Sequence, residues 1–196
     1  MKTSINRQSR APRYLSCEEQ RRLLEACDRV AGAHAPLWRG VISLGLETAA
    51  RLGEMQDATW ADFDLAARVW TLRGSRRERP RAVPLTDEAL AALQLLGSAS
   101  ALPTERVVSP TSGRDFSVLR FASLAASAGL RDLRISDLRR EAIYRMVNPP
   151  RALNDKQVMA MVGHGSLAQL PYDEMRARWR RLSGSGSQTE CTASAD

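Results

Sequence analysis

The stretch MVGHGSLAQLPYDEM places His164, one of two histidines in 196 residues, eight positions before Tyr172. Imidazole changes charge near neutral pH, and a phenol carries a hydroxyl that can serve as a nucleophile. The pair therefore poses a choice between chemistry and a plain helix, turn and second helix that contain the two side chains. Arginine is the other source of chemistry. Of 29 basic residues only Lys2 and Lys156 are lysine. A guanidinium makes planar, bidentate contact with phosphate. A formal net charge of +7 and a pI of about 10.1 agree with a nucleic-acid partner. An arginine excess also follows from a GC-rich coding sequence, so charge alone supports that partner only modestly.

The elements that must position these residues are readable from pattern. LSCEEQRRLLEAC reads as a helix, with Ser16 and Glu19 as a capping box and Leu15, Leu23, Leu24 and Cys27 as its apolar stripe. LWRGVISLGLETAARLGEMQDA is apolar and helix-permissive throughout, with Gly45 and Gly53 as its weak points. TWADFDL is a turn into a strand. VWTLRG and RAVPLT flank the basic loop SRRERP as a hairpin. DEALAALQLLGS is a helix capped by Thr86, RVVS a short strand, and FSVLRFASLAASAG a helix ended by glycine. RISDLRREAIYRMV, LNDKQVMAMVG and PYDEMRARWRRL supply three further helices. The expected fold is α+β and mostly α-helical, with a small antiparallel sheet.

Length suggests one domain, large enough for a good core. The expected boundaries are a basic disordered arm at 1–14, a folded domain at 15–182 and a small, polar, disordered tail at 183–196. No apolar run approaches the ~20 residues that span a bilayer, and the N-terminus lacks an apolar signal segment, so the expected location is cytoplasmic, at the nucleoid. Cys17, Cys27 and Cys191 are too sparse for a zinc site or a disulfide framework and are expected to be reduced.

Three pieces line up in order: TAARLGEMQDATWADFD with Arg51, SDLRREAIYR with Arg139, and GHGSLAQLPY with His164 and Tyr172. The basic hairpin GSRRERPRAVPL sits between the first two. This order resembles the catalytic domain of the tyrosine recombinases, the phage integrase family, from about Leu15 to Leu182. The family's first box reads TGxRxGExxxLxWxDxD, its hairpin ends in VPL, and a second box H-x-x-R precedes a G-H pair and the nucleophilic tyrosine. The resemblance implies an integrase-like catalytic domain with a three-stranded antiparallel sheet. It implies breakage and rejoining of double-stranded DNA through a 3′-phosphotyrosyl bond, which needs no cofactor, metal or ATP. Tyr172 would be the nucleophile. Arg51 and Arg139 would clamp the charge of the phosphorane-like transition state, and His164 would donate to that phosphate or move protons. Glu54 would brace the first box. The implied assembly is a homo-oligomer on DNA, a tetrameric synapse, with an accessory or core-binding protein as a further partner.

The sequence departs from the family at four points. Ser136 stands where the second box has histidine. Aligned back from VPL, Arg76 stands where the hairpin lysine protonates the leaving 5′-oxygen, and a guanidinium holds its proton tightly. The step from histidine to tyrosine is eight rather than nine, and Pro171 precedes Tyr172. The chain starts almost at the catalytic domain, without the helical domain that grips the other face of DNA. A catalytically weakened, non-enzymatic DNA-binding or regulatory protein on the same fold is the competing reading. A helical scaffold whose arginines only solvate it is a third.

Overall fold

The computed structural model describes residues 11–30, 32–74, 80–97, 102–108, 117–165 and 171–184. The first helix, α1 (Cys17–Val30), starts as its sequence demands: the Glu19 amide donates to Ser16 Oγ at 3.2 Å and the Ser16 amide to Glu19 Oε2 at 3.0 Å. Just before it, Tyr14 lies against Tyr144 with ring centroids 4.9 Å apart, and the Arg178 guanidinium sits 4.7 Å over the Tyr14 ring. The Leu15 amide donates to the buried Glu141 carboxylate at 3.0 Å.

The long apolar run does not form one helix. It divides into α2 (Ala35–Thr48) and α3 (Leu52–Asp57), and the break falls at neither glycine singled out from sequence. It falls at Ala49, whose φ of 55° is left-handed. Thr48 assists the break: its hydroxyl donates to the Leu44 carbonyl at 2.6 Å and accepts the Ala50 amide at 3.2 Å. A new start follows at Arg51, whose amide donates to Glu54 Oε2 at 2.7 Å.

The chain then forms a short 3₁₀ turn at Trp60–Asp62 and a three-stranded antiparallel sheet, β1 (Phe63–Asp64), β2 (Val69–Leu72) and β3 (Arg81–Pro84), in that order. Phe63 pairs with Trp70, stacked at 4.8 Å, and Leu72 pairs with Arg81. The acidic residue of WADFD is structural. Asp62 accepts the Thr59 amide at 2.8 Å and Arg73 Nε at 2.6 Å, tying the turn to the end of β2. The described part of RVVS, residues 106–108, is not a strand: it makes one isolated bridge, Arg106 to Thr59, because its extended partner Ala58–Thr59 is only two residues long before the chain enters the 3₁₀ turn.

Helix α4 (Asp87–Leu95) is capped by Thr86 Oγ1, which accepts the Ala89 amide at 3.1 Å. It packs on α2 at Gly40, where a Cβ would lie 2.6 Å from Leu96 Cγ. Then come α5 (Val118–Ser127), α6 (Ile135–Val147), α7 (Asp155–Val162, capped by Asn154) and α8 (Tyr172–Gly184). The larger core cluster joins α1, α2, α4, α5 and the sheet. A second cluster joins α6, α7 and α8 through Ala142, Ile143, Met146, Val158, Val162 and Met175, and Tyr172 belongs to it. Of the cysteines, Cys27 is a free buried thiol, and Cys191 lies outside the described residues. Among the described residues, no helix is long and apolar enough to cross a membrane.

Candidate active site

Three of the residues selected from sequence meet where α2, α6, α7 and α8 converge. Arg139, on the second turn of α6, spends donors on two helix ends. Its Nη1 donates to the Ala49 carbonyl, and its Nη2 donates to the Val162 carbonyl at 2.7 Å. These are the C-terminal ends of α2 and α7, where carbonyls lack intrahelical partners and the helix dipole is negative. A guanidinium there satisfies both ends at once.

His164 follows directly. Gly163 closes α7 with φ 72°, and the amides of Gly163 and His164 both donate to the Met159 carbonyl, at 2.9 and 3.1 Å. That wrap fixes the imidazole between two groups. Its Nδ1 lies 2.8 Å from Tyr172 Oη, and its Nε2 lies 3.5 Å from Arg139 Nη2. Arginine nitrogens only donate. Nε2 is therefore the accepting nitrogen of the neutral ring, and Nδ1–H points at the phenol oxygen. In this arrangement His164 holds the tyrosine oxygen by donation, which favours developing phenolate charge.

Tyr172 is the first residue of α8. Pro171 does not disturb that helix, since its carbonyl accepts the Met175 amide at 3.0 Å and proline carries no N–H that a helix start needs. The ring is 3% exposed. Burial raises the phenol above its ordinary pKa, the Asp155 charge adds to this, and Arg139 and Arg176 oppose it. The phenol is protonated at neutral pH.

Arg51 stands one step away. It is the cap residue of α3, with Nη1 donating to Glu54 Oε1 at 3.1 Å, and it lines an open cavity of about 390 Å³ together with Asp57, Trp70 and Arg73. It lies two residues beyond Ala49, the acceptor of Arg139. Glu54 does brace this box, through the Arg51 amide and guanidinium together. Ser136 is exposed, one turn before Arg139 on α6. Arg76 lies outside the described residues.

Sequence reasoning missed Arg81. Its Nε donates to the Met161 carbonyl at 2.8 Å, and its Nη2 pairs with Glu54 Oε1 at 2.7 Å. The signal was the strand alternation: Arg81, Val83 and Leu85 share the inward face, and an arginine in register with buried aliphatics has a buried partner to find. Asp155, whose charge raises the phenol further, was also missed. Among the described residues, no group of three or more His, Cys, Asp or Glu is placed to hold a metal ion.

The sequence profile described as the phage integrase family matches residues 13–172. The chain belongs to the phage integrase family. Solved structures of similar fold agree. The XerA recombinase is similar at TM-score 0.69 and 19% identity, over 97% of this chain and 71% of that one. The Tn1549 transposon integrase in complex with transposon right-end DNA is similar at TM-score 0.66 and 16% identity, over 91% of this chain and 69% of that one. A lambda integrase dimer bound to a core site is similar at TM-score 0.60 and 17% identity, over 86% of this chain and 61% of that one. No curated protein matches the chain. The fold is that of integrase catalytic domains, mostly helical with the small sheet.

Proposed function

We propose that this domain breaks and rejoins double-stranded DNA as a site-specific recombinase or integrase, with Tyr172 as nucleophile. The contact that carries the reading is His164 Nδ1 to Tyr172 Oη at 2.8 Å, beside the Arg139 guanidinium. The phenol oxygen attacks a backbone phosphorus. The phenol proton passes to solvent, the bond from phosphorus to the 5′-oxygen breaks, the 5′-oxygen takes up a proton from solvent, and the 3′-phosphate remains on tyrosine. Attack by the 5′-hydroxyl of a second strand reverses the step and frees Tyr172, so bond energy is conserved and no external reactant enters. Arg139 and Arg51 stabilise the charge on the non-bridging oxygens, and Nδ1–H of His164 steadies the phenol oxygen as its proton leaves. Because Tyr172 is buried, the first turn of α8 moves outward when DNA binds. Ser136 and Arg76 stand at two positions where the family has acid–base groups, and neither residue is a good acid, so proton transfer is slower by about 10²–10⁴-fold for each group replaced. The working assembly is a homo-oligomer on DNA.

That burial, with Ser136 in place of an acid–base group, favours one second reading: a protein that binds DNA electrostatically on this fold without cutting it. Covalent trapping separates the two. The protein is incubated with fragmented genomic DNA, stopped with denaturant, and protein-linked ends are recovered and sequenced, with Tyr172→Phe alongside. Adducts from the wild type alone support the recombinase. Salt-sensitive binding without adducts supports the binding protein. Adducts from Tyr172→Phe mean that the nucleophile is another residue.

A further inference from the structure

We propose that Arg81 is a positioning residue that locks the His164 turn to the Arg51 cap, so that histidine and tyrosine meet in one geometry. The inference rests on the recombinase reading for its effect on rate, but not for its effect on His164.

Arg81 opens β3, and its side chain is 6% exposed, so it cannot be a contact for DNA in this arrangement. It touches both halves of the site. On one side its Nη2 pairs with Glu54 Oε1, the same oxygen that accepts Arg51 Nη1. On the other, its Nε donates to the Met161 carbonyl in the last turn of α7. The Arg81 side chain also closely approaches the turn that carries His164: a Cβ on Gly163 would stand 3.2 Å from Arg81 Nη1, 3.3 Å from Cδ and 3.4 Å from Cζ. Gly163 is thus required twice, for its left-handed φ and for this approach.

The cost of the arrangement shows that it is not incidental packing. Arg81 Nη1 and Nη2 are both buried without a hydrogen-bond partner, Nη2 meeting Glu54 as an ion pair only, and a buried, incompletely satisfied guanidinium is expensive to keep. An apolar residue at the inward face of β3 would pack without that penalty. What only the forked guanidinium supplies is one rigid plane paired by charge with Glu54 of α3 and hydrogen-bonded to α7 through the Met161 carbonyl. Without it, the Gly163–His164 turn is held by the Met159 carbonyl and by Arg139 but loses its tie to the sheet.

The test uses the full chain with Arg81→Met and Arg81→Lys. The chain has two histidines, so the imidazole NMR spectrum holds two sets of ring signals, His34 and His164, assigned with His164→Gln. In DNA-free wild type, the His164 ring nitrogens show the Nδ1–H tautomer, and Tyr172→Phe shifts them. Arg81→Met should move the His164 signals toward their position in Tyr172→Phe and leave His34 unchanged. The rate of covalent trapping should fall about 100-fold, the cost of roughly 1 Å of misplacement, with DNA affinity unchanged. Arg81→Lys keeps the charge without the fork and should recover about a tenth of the wild-type rate or less. Unmoved His164 signals in both variants, even with lowered stability, would overturn the proposal, and so would full activity in Arg81→Lys. If Arg81→Met does not fold, Arg81→Lys alone decides by the same criteria. If the wild type forms no adduct, the recombinase reading fails, while the His164 signals still decide the role of Arg81.

Discussion

Removing the Arg139 guanidinium should unfold the domain more readily even when no DNA is present. In Arg139→Met the carbonyls of Ala49 and Val162 lose their donor, at the ends of two helices packed on α6. Hydrogen bonds to charged groups contribute about 1.5–3 kcal/mol each, and the lower figure suits a part-buried side chain. The sum is about 3 kcal/mol, which is roughly a 100-fold change in the folding equilibrium and about 6–12 °C in Tm for a domain of this size. Arg139→Lys keeps a charge but replaces a fork with one nitrogen, and should lose about half as much. Urea denaturation followed by circular dichroism, without DNA, reads both variants. A loss below about 0.5 kcal/mol in Arg139→Met, the range of an ordinary surface change, would refute the reasoning. The carbonyls would then be served by water, and Arg139 would be reserved for phosphate alone.

Two further outcomes follow from the same geometry. Burial raises the Tyr172 phenol, so the folded chain keeps its proton to higher pH than the unfolded chain does. Stability from this group is complete below about pH 10, the unfolded value, and is lost as pH rises through the folded one. Tyr172→Phe should therefore lose less stability than wild type between about pH 9 and 11, with the half-buried Tyr14 contributing equally to both; parallel urea midpoints across that range would contradict it. At the α2–α4 crossing, Gly40→Ala would force a methyl to 2.6 Å from Leu96 Cγ and 2.9 Å from the Ala92 carbonyl. The expected cost is about 1–3 kcal/mol, and a urea midpoint equal to wild type would show that α4 yields freely.

Most of the helices and the hairpin were legible because caps and apolar periodicity are local signals. Ser16 with Glu19, Thr86 and Asn154 each start the helix that their sequence announces. The break at Ala49 was hidden for a specific reason. The family's first box has glycine at that position, which would have signalled a left-handed residue, and here an alanine takes it. A left-handed alanine costs about 1–2 kcal/mol, and it is held by a bond from Arg139, 90 residues away in sequence. No local pattern carries that. RVVS misled in the opposite sense: two buried valines have strand propensity, but the extended neighbour beside them, Ala58–Thr59, is too short for more than one bridge. At the site, the residue types at Arg139, His164 and Tyr172 were legible from motif order. Their actual partners, two helix-end carbonyls and Arg81 behind the turn, depended on packing between elements far apart in the chain.

The Tyr14 ring has a mechanical consequence. It is gripped between Tyr144 on α6 and Arg178 on α8, and Arg178 lies six residues beyond Tyr172, about 9 Å along one rigid helix. The ring therefore couples the chain just ahead of α1 to α6 and α8 at once, so a change at Tyr14 is felt by both helices that frame the phenol.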